Sequence, residues 1–168
     1  MAKVLFIQRK DIIEFTSANG NVDVDKLLPH IFRAQQIECQ RLLGTKLYDK
    51  IVSDITGGTL TGEYLTLVDT YIKPILIHYA MMYALPYLSV TISNGGVYRN
   101  NPENATALSS DEISTLVEKE RDAAQYFSQR MIDFLNFNAT ANFPEYYQNV
   151  NEDVSPDYDD NFGGWVMT

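Results

Sequence analysis

Two histidines, one cysteine and a carboxylate-rich run near the end are the residues with which this chain could do chemistry. A zinc site needs Cys, His or acidic ligands at short, regular spacing. His30 and His78 fall on separate helical segments without a His-Glu-x-x-His pattern, so such a site would have to be assembled from distant groups. His78 lies in an apolar run and reads as a core or interface histidine. Cys39 lies on the apolar side of a helical pattern and reads as a small buried hydrophobe, not a nucleophile. The segment Asp157-Tyr158-Asp159-Asp160-Asn161-Phe162-Gly163 places oxygen ligands at the first, third and fifth positions of a calcium loop. It fails where the loop wants glycine, at Phe162, and where it wants glutamate, at Thr168, so a solvated acidic tail is the expectation. Gly57-Gly58 and Gly95-Gly96 lack the spacing and the Lys-Ser/Thr of a phosphate-binding loop. The carboxylate pairs Glu118 with Asp122 and Asp111 with Glu112 sit on a mixed-charge helix face, whereas general acid-base work needs a shielded pocket. The expectation is therefore no catalytic residue, no cofactor and no metal.

The elements that carry these residues belong to one domain. A chain of 168 residues that is 45% hydrophobic and 12% aromatic is sized for a single core. Its net charge of −9 is uneven: residues 131–168 hold seven acids and no base. A near-neutral body with an acidic end does not point to a nucleic-acid-binding surface. Val4-Leu5-Phe6-Ile7 is too short for a secretory core, and Pro74 to Val90, with its tyrosines, histidine and prolines, suits a central helix better than a membrane span.

Residues 1–22 read as an N-terminal arm and turn. Asp23 or Asp25 then caps a helix running to about Leu43, with Leu28, Ile31, Phe32, Cys39 and Leu42 on its apolar face. Gly44 suits a left-handed helix end, and Thr45 suits the cap of a second helix over roughly Lys46 to Ile55, so the two form a corner. A third helix begins near Thr61 and carries the cleanest stripe, Tyr64 through Tyr83, with a kink expected at Pro74. Beyond Pro74 it is apolar on nearly every side, as in an element buried on several faces, and a neighbouring subunit is one source of that burial. Residues 90–99 switch to a period of two around Asn94-Gly95, which predicts a β-hairpin. Ser109 and Glu112 have capping-box spacing for a last helix running to about Phe137. The predicted fold is mainly α, a compact bundle of about four to five helices over residues 23–147 with an inserted hairpin. Residues 148–168 then form an extended acidic tail ending in the apolar tag Phe162 to Met167.

The corner Ala34-Gln35, Leu43-Gly44 and Leu47-Tyr48-Asp49 is followed by Tyr71-Ile72-Lys73-Pro74, Ala84-Leu85-Pro86, Asn94-Gly95-Gly96-Val97 and Phe143-Pro144-Glu145-Tyr146. Taken together, over roughly residues 25–147, this pattern resembles the head-to-tail connector proteins of tailed phages, the adaptor or neck ring proteins, and is most similar to the small ring proteins of crAss-like and other Bacteroidetes phages. The resemblance implies a non-enzymatic virion subunit that assembles with copies of itself into a closed, twelvefold ring below the portal protein. It would extend the DNA channel without binding DNA specifically, join head to adjacent tail or neck proteins, and touch no membrane. Its place would be the virion neck, and the host cytoplasm during assembly. The residues expected at interfaces are Gly44 and Tyr48 at the corner, Tyr79, Met82 and Tyr83 on the third helix, and Asn94, Gly95, Val97, Tyr98 and Arg99 in the hairpin. Tyr146, Phe162 and Trp165 complete the set. The alternatives are a non-viral helical protein–protein adaptor and an enzyme with an unfamiliar site near His78.

Overall fold

The computed structural model describes residues 4–18, 22–99, 108–148 and 153–158. The helices are α1 (Arg9–Phe15), α2 (Val24–Ala34), α3 (Gln40–Gly57), α4 (Gly62–Thr66), α5 (Lys73–Leu88), α6 (Ser110–Asn142) and α7 (Pro144–Tyr147). Strands β1 (Val90–Ser93) and β2 (Gly96–Arg99) form an antiparallel hairpin that pairs Ile92 with Val97 across the Asn94-Gly95 turn. This is the mainly α bundle with an inserted hairpin that the periodicity predicts.

Helix α5 is the centre. It packs against α1, α2 and α6, which explains why Ile75, Leu76, Ile77, Tyr79, Ala80 and Met81 are all buried although they point in different directions. Helices of the same chain thus cover most of the apolar surface of α5, while Tyr87 near its end stays exposed. Helix α6 runs antiparallel to α5: Phe134 stacks on Tyr71 at 4.1 Å, and Phe127 stacks on His78 at 5.5 Å.

Two π-turns set the register. Gln35–Cys39 joins α2 to α3, and Leu67–Ile72 joins α4 to α5. The first lets Gln35 and Cys39 share the buried stripe of Leu27, Ile31 and Ala34, so Leu28, expected inside, is 38% exposed. The second ends just before Pro74, which sits in the first turn of α5, where a missing N–H costs least. The wide turn thus takes up the distortion expected of a proline kink.

The N-terminal arm is not wholly extended. Gln8 and Asp11 form a reciprocal cap on α1, and Ile12 enters the core. Upstream of it, the buried Gln35 side chain accepts from the Phe6 N–H and donates to the Val4 carbonyl and the Tyr48 hydroxyl, each at 2.9 Å. One glutamine therefore ties the arm to the corner, and no buried side-chain polar atom among the described residues lacks a partner.

At the N-terminus of α6 the Ser109 hydroxyl accepts from the Glu112 N–H at 3.3 Å, while the Glu112 carboxylate accepts from the Ser109 N–H at 2.8 Å. Those bonds from the Ser109 N–H and hydroxyl hold the Glu112 carboxyl below its ordinary pKa. A carboxyl so lowered stabilises the helix start above the ordinary glutamate pKa, and the contribution fades as pH falls through the folded value. Ser109→Ala, or acidification of the native chain, should fray the first turn, read as lower amide protection factors at Glu112 and Ile113 once the intrinsic exchange rate at each pH is divided out. Unchanged protection in both would contradict the cap's role.

Helix α6 continues past Phe137 to Asn142, and α7 buries Phe143 and Tyr146. The tail then returns to the body. Residues 153–158 form a strap across the corner in α3, with Pro156 buried, so this part of the expected free tether is docked.

Candidate functional site

The structure gives each chemically capable residue defined neighbours. Cys39 is fully buried, and burial pushes its thiol far above the usual range, away from the reactive thiolate. His78 Nδ1 lies 2.7 Å from Glu120 Oε2, and its ring stacks on Phe127. His30 packs against Tyr87 at 5.1 Å, and partial burial, with Arg33 beside it, lowers its pKa. Among the described residues, no group of three or more His, Cys, Asp or Glu side chains could hold a metal ion. The Asp157 carboxylate of the would-be calcium loop meets the Arg41 guanidinium, and the loop beyond Tyr158 lies outside the described residues.

The expected interface residues divide into internal and external groups. Gly44 is buried, and Tyr48, Tyr79 and Tyr146 are no more than 6% exposed, so these four are corrected from interface to core. Tyr48 supports Gln35, and Tyr146 packs edge-on against Tyr158 at 5.2 Å. Met82 and Tyr83 are partly buried. The Tyr83 hydroxyl donates to Glu38 at 2.6 Å, and the Arg33 guanidinium lies 4.5 Å from the ring centre. Burial and that carboxylate push the Tyr83 phenol above its ordinary pKa. Asn94, Gly95, Val97 and Tyr98 are exposed. The Arg99 side chain, Phe162 and Trp165 lie outside the described residues.

The external group has a common location. The hairpin leaves the C-terminal end of α5, where the antiparallel α6 begins. The first fully buried residue of α6 is Ala124; before it Ile113 and Val117 are half-buried and line a cleft with Pro86 and Ser89 at the end of α5. Ile92 is 68% exposed, Val97 67% and Tyr98 54%, with Tyr87 and Leu116 exposed near the same end. Among the described residues the sheet has two strands, which leaves an outer edge on each as a template for further strands.

The corner is a second constellation. Gly44 has φ +73° and ψ 160°, a conformation essentially restricted to glycine and distinct from the left-handed helical cap that was expected. A Cβ there would come within 2.6 Å of Pro156 Cδ. Thr45, expected to cap the following helix, instead accepts from the Val154 N–H through its hydroxyl at 2.9 Å. The sequence did not link Arg41 with Pro156 and Asp157, which lie more than a hundred positions further on with no helical or strand period to join them; Asp157 stood out only as a calcium-type ligand.

A family model described as "Family of unknown function (DUF6712)" matches residues 39–155. No curated protein and no solved structure matches the chain. The family match covers the corner, α5, the hairpin, α6 and the start of the strap.

Proposed function

We propose that this chain, which belongs to the DUF6712 family of unknown function, is a structural subunit of a head-to-tail connector ring. It forms the ring with copies of itself, docks below a portal protein and extends the channel through which DNA leaves the head. The observation that carries this reading is the hairpin after α5: Ile92, Val97 and Tyr98 are exposed, and among the described residues its two strands pair only with each other. Two strands alone are marginal in water, so a hairpin of this kind gains most from another chain's strand or body.

Cyclic contacts between unlike faces close into rings, and one exposed projection per subunit is suited to such a contact. The placement at a phage neck draws on the resemblance of the corner, the Asn94-Gly95-Gly96-Val97 turn and the Phe143-Pro144-Glu145-Tyr146 segment to connector proteins. The charge is compatible with a conduit: at −9 the chain offers little attraction to phosphates, and a duplex passing through a neutral or acidic lumen is not retained.

The test is the double variant Ile92→Asp/Val97→Asp. Both side chains are about two-thirds exposed, so the monomer's unfolding free energy should move by no more than about 0.5 kcal/mol. Assembly with the portal, followed by native mass measurement and particle imaging, should lose the ring. A ring formed as readily by the variant would overturn the role of the hairpin, and a one-to-one complex with the native chain would favour a simple adaptor.

A further inference from the structure

Breaking α3 at Gly44 removes one specific backbone hydrogen bond. In an uninterrupted helix the N–H of residue 45 donates to the carbonyl of residue 41. Here the Thr45 N–H donates to the Val154 carbonyl at 2.9 Å, and the Arg41 carbonyl accepts from the Asp157 N–H at 3.1 Å. The strap thus enters the gap and satisfies the two groups that the break separates.

Its remaining contacts fix direction and register. Val154 is held through both backbone groups, since its N–H donates to the Thr45 hydroxyl. Pro156 lies over Gly44, where the lack of a side chain makes room for its ring. The Asp157 carboxylate accepts from the Arg41 guanidinium, and the Tyr158 hydroxyl donates to the Tyr146 carbonyl at 3.1 Å. Backbone pairing, a flat seat for proline, a cation for a carboxylate and a ring against an aromatic are the parts of a peptide-recognition site.

We propose that the break in α3 is a receptor for an extended acidic peptide of the form apolar-x-Pro-Asp-aromatic, and that residues 153–158 are its resident, displaceable ligand. The strap's outer side faces solvent at Asp153, Ser155 and Tyr158. Its ion pair is about one-third exposed on both partners, at 36% and 35%, so that pair alone holds it weakly. Tethering adds to the backbone bonds and the Pro156 and Tyr158 contacts, because a short link raises the local concentration of the segment to the millimolar range. Occupancy is also felt deeper in the protein. Arg41 contacts Glu38 at 3.2 Å, and the other oxygen of Glu38 accepts from Tyr83 on α5. A strap in place therefore orients a chain of polar groups running from the tail to the central helix.

The experiment uses the full chain carrying Pro156→Gly/Asp157→Ala and reads amide exchange at single residues by NMR. Protection of the Thr45 amide should fall about tenfold, the size of one lost backbone hydrogen bond, while Ile51 and Leu135 stay protected. Adding the peptide acetyl-Asp-Val-Ser-Pro-Asp-Tyr-amide at about millimolar concentration should restore Thr45 protection, and the same peptide with its second aspartate changed to alanine should not. Unchanged Thr45 protection in the variant, or no rescue by the peptide while the core stays protected, would overturn the proposal. Should the double variant lose core protection, Asp157→Ala alone is read against the same two outcomes. Ring assembly has no part in this measurement, so its result is independent of the connector reading.

Discussion

Gly44→Val should lower the stability of the isolated chain by at least about 2 kcal/mol, a drop in melting temperature of roughly 4 to 8 °C for a protein of this size. Two costs combine. The backbone at φ +73° and ψ 160° is closed to a β-branched residue, and the new side chain would occupy the space of Pro156. Relieving either one moves the strap off the corner or changes the angle between the halves of α3, which bury Leu42 and Leu43 before the break and Leu47 and Ile51 after it. Thermal unfolding followed by circular dichroism measures the effect. A melting temperature equal to that of the native chain would mean that the corner tolerates an ordinary residue, and the account of its geometry would fail. The expectation that Gly44 acts chiefly in assembly changes accordingly, since a buried glycine under a proline acts first on folding.

Phe143→Ala should cost more, about 3 to 5 kcal/mol. Phe143 is fully buried at the junction of α6 and α7, edge-on to Tyr64 at 5.2 Å and 5.9 Å from Phe134. Phe134 in turn stacks on Tyr71, so one ring links α4, the second π-turn, α6 and α7. Removing it leaves a cavity that helices on several sides cannot close together. The control is Phe137→Ala on the same helix, where 88% exposure limits the change to about 0.5 kcal/mol. Urea denaturation separates the two. Equal effects would contradict the packing described for the end of α6.

How legible these features were in the sequence follows from the range of the interaction that makes each one. The hairpin was readable because Asn94-Gly95 and the alternation around it are local. The α6 start was readable because Ser109 and Glu112 are three residues apart. Burial on all sides of α5 followed from an apolar run without a polar face. Helix α1 was missed because it is only seven residues long and buries Ile12 alone, too little for a periodic signal. The face of α2 was misassigned because a π-turn shifts the register between Ala34 and Gln40, and Leu28 moves outward as Leu27 moves in.

The sites show the same division. Tyr48, Tyr79 and Tyr146 read as contact residues because tyrosine is common at interfaces, yet burial inside this chain is decided by tertiary neighbours that no local pattern reveals. The pairing of Arg41 with Asp157 spans more than a hundred positions and was illegible for that reason. Gly44 was singled out correctly as a special backbone position, but the residue that makes it special, Pro156, lies in the strap.

Imaging the neck of a tailed-phage particle that carries this chain, by electron cryo-microscopy, tests the connector reading most directly. The prediction is a closed ring of copies below the portal, each with its 90–99 hairpin seated against the adjacent subunit. A neck without this chain, or one in which the chain is present with every hairpin standing free in solvent, would contradict it.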